Sequence, residues 1–70
     1  MINGKRVRQI RRFREMTQAE LAKEMGYASS NCVHRLEKGR CDLPFSRIEK
    51  MAAILGISLN ELITADPENT

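Results

Sequence analysis

Ser30, Asn31, His34, Arg35 and Lys38 fall on one arc when residues 29–38 are wound at ~100° per residue, and all of them give or accept hydrogen bonds. The opposite arc carries Ser29, Cys32, Val33 and Leu36. A face built this way suits recognition by hydrogen bonding rather than bond making. No nucleophile stands with a base and an orienting residue, His34 is the single histidine, and no glycine-rich phosphate loop is present, so no catalysis is expected. Cys32, His34 and Cys41 spell Cys-x-His-x6-Cys, which lacks a fourth ligand and a zinc-finger spacing; no metal and no cofactor is expected. Two cysteines without a secretion signal read as reduced thiols.

The charge is distributed unevenly. Residues 1–14 hold six bases (Lys5, Arg6, Arg8, Arg11, Arg12, Arg14) and no acid, whereas residues 51–70 hold Glu61, Asp66 and Glu68 and no base. One end of the chain attracts polyanions and the other does not. No apolar stretch approaches the ~20 residues of a membrane span, and no signal-peptide core follows the basic start, so a cytoplasmic protein is expected.

The elements that must position the polar arc are helices. Seventy residues make one domain, with a core burying about 60% of the unfolded surface, and scarce aromatic and β-branched runs favour an all-α fold. A first helix is predicted over about 4–15, with Val7, Ile10 and Phe13 at intervals of three. Thr17-Gln18-Ala19-Glu20 is a capping box that opens a helix over about 18–25, stopped by Gly26. Ser29 or Ser30 caps the third, recognition-type helix over about 29–38, stopped by Gly39. Pro44 opens a fourth helix in which Ile48, Met51, Ala52 and Leu55 recur until Gly56. Ser58-Leu59-Asn60-Glu61 is a second capping box before a short fifth helix, and 65–70 read as a flexible tail after a domain spanning 1–64. The expected core is Phe13, Leu21, Met25, Val33, Leu36, Met51, Leu55 and Leu62.

Met16-Thr17-Gln18-Ala19-Glu20-Leu21-Ala22, followed by Arg35-Leu36-Glu37-Lys38-Gly39, resembles the phage repressor and Cro (Xre-type) helix-turn-helix regulators. The stretch from Ile48 to Leu62 is similar to that family's fourth and fifth helices, so the resemblance covers about residues 5–63. Gly26 to Glu37 is one residue longer than the family spacing, which places the extra residue in the turn around Tyr27-Ala28-Ser29.

The resemblance implies a five-helix repressor-like domain that binds double-stranded DNA, with the polar arc of helix three in the major groove. It implies phosphate contacts from Gln18, Lys38 and Arg40 and places Ser30, Asn31 and Arg35 at base edges, with His34 on a base or a phosphate; Arg6 and Lys5 are further candidates for the phosphate backbone from the amino end. Arg11 and Glu37 align with a structural salt bridge in the family. Because one recognition helix covers few base pairs, a homodimer on a palindromic operator is expected; Ile57, Leu59 and Ile63 either pair the two copies or fill their own core. Two functions fit this picture: a repressor or controller acting by promoter occupancy, or an antitoxin that binds a toxin and represses its own operon. RNA polymerase is the other partner considered, and no membrane association is expected.

Overall fold

The computed structural model describes residues 2–63; the tail predicted over 65–70 lies outside them. The helices are α1 (Gly4–Phe13), α2 (Gln18–Met25), α3 (Asn31–Glu37), α4 (Phe45–Leu55) and α5 (Leu59–Ile63), and no strand occurs among the described residues. The fold is all-α, with α1 packed on α3 and α5, α2 on α3 and α4, and α4 on α5.

The starts of α1, α2, α4 and α5 have identifiable causes. Asn3 opens α1, its side-chain oxygen accepting the Arg6 amide at 3.2 Å. Thr17 Oγ1 accepts the Glu20 amide at 3.0 Å while Glu20 Oε1 accepts the Thr17 amide at 2.9 Å, closing the capping box of α2. Those bonds favour the ionised Glu20 and hold its carboxyl below the ordinary range. Pro44, extended at φ −64°, immediately precedes α4. Ser58 donates its amide to the Glu61 carboxylate at 3.2 Å before α5.

Four chain reversals end α1 to α4 in the same way, with paired bonds back into the last turn. Gly26, Gly39 and Gly56 supply the left-handed residue at three of them. At the fourth, Glu15 adopts φ 56°, a conformation that costs a side-chain-bearing residue roughly 1–2 kcal/mol.

Leu21, Met25, Val33, Leu36, Met51, Leu55 and Leu62 form the core, none more than 1% exposed. Each such side chain contributes about 1.5–3 kcal/mol through burial. Phe13 does not join them. It is 85% exposed, which corrects the expected core. The reason is geometric: two successive steps of three residues each slip ~60° back around the helix, so Phe13 is rotated away from Val7. Arg11 takes the partly buried position instead, and Arg14, exposed just past the end of α1, lays its guanidinium near Gly56 at the carbonyl end of α4. Ile2 joins the core from outside any helix, its amide held by Asp42 Oδ1 at 3.1 Å.

Candidate nucleic-acid interface

Helix α3 is shorter than the predicted 29–38, starting at Asn31 and ending at Glu37. Ser30 is already helical in backbone and makes no side-chain capping bond, while Ser29 Oγ takes the Asn31 amide at 3.4 Å. The chain therefore spends residues 26–30 on the turn, and the helix begins after it.

The two arcs of α3 separate as their chemistry requires. Val33 and Leu36 are buried and Cys32 half-buried; Asn31, His34, Arg35 and Lys38 are exposed, and Ser30 is half-buried at the helix start. Arg40 is exposed just beyond the Gly39 reversal, where its amide bonds the Arg35 carbonyl at 2.9 Å.

Glu37, at the inner end of this helix, is buried and therefore requires partners. Arg11 Nε donates to Oε2 at 2.7 Å and Nη2 to Oε1 at 3.2 Å. Gln18 Nε2 donates to the same Oε1 at 3.0 Å, and Arg11 Nη1 reaches the Met16 carbonyl at 2.6 Å. One carboxylate thus ties α1, the start of α2 and the end of α3. The charge pair is bidentate and shielded, with side chains 11% and 3% exposed, so it resists solvent screening better than a surface pair. Gln18 spends one of its two amide hydrogens inside this network, leaving the second for an outside acceptor.

Backbone contact adds a second tie. A Cβ at Gly4 would collide with the Leu36 carbonyl oxygen, so α1 approaches the end of α3 as closely as glycine alone permits.

The turn between α2 and α3 is fixed from α4. Arg47 places its guanidinium 5.5 Å from the centre of the Tyr27 ring, and Lys50 Nζ donates to the Met25 carbonyl at 3.4 Å, setting a cation at the C-terminal end of α2. Neither residue was singled out from the sequence. Their spacing of three on α4 marks a shared face, but only the fold shows what that face meets. Burial, reinforced by the neighbouring Cys32, raises the Tyr27 hydroxyl, against the opposing pull of Arg47. Burial and Cys41 likewise raise the Cys32 thiol, which keeps it protonated and weakly nucleophilic.

The remaining candidates lie apart from α3. Arg6 is on the other side of α1, 3.8 Å from Glu61 of α5 in a largely solvated pair. Ile57 and Leu59 are partly buried against the molecule's own core, and Ile63 is 36% exposed. Among the described residues no cluster of three metal-ligating side chains converges, and no helix is long and apolar enough to cross a membrane.

Comparison with known proteins gives the same picture. A helix-turn-helix domain family model matches residues 4–63. A hypothetical transcription factor, NHTF, from Neisseria is 32% identical over 94% of this chain and 74% of its own, with a TM-score of 0.80. The restriction-modification controller protein C.AhdI from Aeromonas hydrophila is 30% identical over 86% of each chain, with a TM-score of 0.77. SinR, a master regulator for biofilm formation solved in complex with DNA, is 28% identical over 81% of this chain and 90% of its own, with a TM-score of 0.71. Among curated proteins no relative matches. With the family match spanning all five helices, and with transcription regulators of the same fold as its neighbours, the chain belongs to the Xre-type helix-turn-helix DNA-binding regulators.

Proposed function

We propose that this protein is a sequence-specific transcriptional repressor or controller that binds a palindromic operator as a homodimer in the cytoplasm. The observation that carries the reading is the outward arc of α3, with Asn31, His34 and Arg35 exposed on a helix whose other arc is buried and whose end is tied down through Glu37. That a neighbour is described on DNA supports it. In this reading Ser30, Asn31, His34 and Arg35 touch base edges. Arg35 makes two parallel bonds to a guanine and Asn31 two to an adenine, each pair giving about 1–3 kcal/mol of discrimination.

Gln18, Lys38, Arg40 and Arg6 hold phosphates, with Arg6 first leaving its loose pair with Glu61. Ile63, flanked by Ile57 and Leu59, supplies a self-complementary contact about a two-fold axis. Two recognition helices then sit about 34 Å apart, or a multiple of that.

The test is selection of duplexes from a random-sequence pool, followed by titration of the enriched duplex. A palindromic motif is expected. Arg35→Ala should lose about 1–3 kcal/mol of discrimination at one base pair per half-site, whereas Lys38→Ala should weaken all duplexes alike and lower the salt slope by about one. Equal losses for Arg35→Ala on the enriched and random duplexes would remove that residue from the base-reading set.

A further inference from the structure

Beside the face of α3, helix α1 carries three further cations, Lys5, Arg8 and Arg12. Measured around α1 from Arg11, buried Val7 lies ~40° to one side, and Arg8, Arg12 and Lys5 lie ~60–120° to the other. All three cations are exposed. The ion pairs among the described residues are Arg6–Glu61 and Arg11–Glu37, so none of the three has a carboxylate partner there. They form a stripe ~10 Å long, a length over which one strand of B-form duplex presents about three phosphates.

The stripe's position identifies its occupant. Gly4 and Arg11 mark the seam along which α1 meets the end of α3, through the Leu36 carbonyl and the Glu37 carboxylate. Gln18 is bonded to that same carboxylate, and Lys38 follows it in the chain. Around α1 the three cations follow Gly4 and Arg11 on the side away from buried Val7, so they border this seam outward of it.

We propose that Lys5, Arg8 and Arg12 form a second phosphate-binding track, which holds duplex DNA flanking the base pairs read by α3. The inference rests on the DNA-binding reading above. Because these contacts go to phosphates alone, the track adds affinity and salt dependence without changing sequence preference.

The experiment uses the duplex enriched by the wild-type chain, extended by about one helical turn on each side. Binding is followed by fluorescence anisotropy across a series of potassium chloride concentrations, with hydroxyl-radical footprinting in parallel. Combining Lys5→Gln, Arg8→Gln and Arg12→Gln should make the plot of log K against log salt shallower by about 2–3. Protection of the flanking sugars should disappear, while the enriched motif stays the same. Lys23→Gln, an exposed change on α2, should leave slope and footprint alone. Thermal melting verifies folding; if the triple variant does not fold, Arg8→Gln and Arg12→Gln are read singly, each lowering the slope by about one. An unchanged slope, or an altered motif, overturns the track while leaving the DNA-binding reading intact. A wild-type chain that binds no duplex overturns both.

Discussion

The two ends of α3 are built differently. Its C-terminal end is fixed by a buried carboxylate with donors from Arg11 and Gln18, by the Gly39 reversal and by the glycine-only contact at Gly4. Its N-terminal end has no capping side chain on Ser30, a single 3.4 Å bond from the Asn31 amide to Ser29, and an outward face that exposes Asn31, His34 and Arg35. The far end sets the direction of the helix, while the near end keeps its polar groups available. The polar network that must be satisfied internally thus sits at the end that is tied down, apart from the open start of the helix.

The strongest way to break this asymmetry is Arg11→Ala. It leaves the buried Glu37 carboxylate with Gln18 alone, and a loss of about 3 kcal/mol in denaturant unfolding is expected, the range for removing one partner of a buried pair. A loss below about 1 kcal/mol, the level of an exposed pair, would show that Glu37 is solvated and the end not locked. Gly4→Ala should follow with a loss of about 2 kcal/mol, since α1 must move off the Leu36 carbonyl to admit a methyl group. Wild-type stability in that variant would mean that the two helices slide freely.

The comparison sharpens with a matched pair of cap variants. Thr17→Ala, which removes a formed cap, should cost about 1 kcal/mol, and Ser30→Ala, which removes none, only a few tenths. Equal costs would refute the claim that the near end is uncapped. Acid supplies the smallest effect. Glu20 has its folded pKa depressed by the Thr17 bonds, so its contribution is present above the ordinary value of 4.5 and lost as pH falls through the depressed one. The Tm difference between wild type and Glu20→Gln should therefore shrink below pH 4.5, and a constant difference would count against the assignment.

What the sequence made legible follows from range. The capping box at Thr17, the glycine stops at 26, 39 and 56 and the two arcs of α3 are local patterns; α2 and α4 follow them closely, while α3 starts two residues later than its serines suggested. The pairing of Arg11 with Glu37 came only through resemblance, because nothing local connects residues 26 positions apart. Phe13 was misplaced because a spacing of three mimics an inward stripe for two residues and fails at the third. Gly4, Arg47 on Tyr27 and Lys50 on Met25 were illegible, since each depends on which helix lies opposite. Glu15 is the remaining exception. Its sequence context carries no glycine, so nothing marked the left-handed turn that ends α1.

The opening residues have one more consequence. Asn3 donates its amide to the Leu62 carbonyl at 2.6 Å while its side chain caps α1, and Ile2 is fastened to Asp42. A single dipeptide therefore staples α5, α1 and the segment after α3 into one clasp. Unzipping α5, which is only five residues long, must also undo the start of α1, so hydrogen exchange at Asn3 and Val7 should proceed in step.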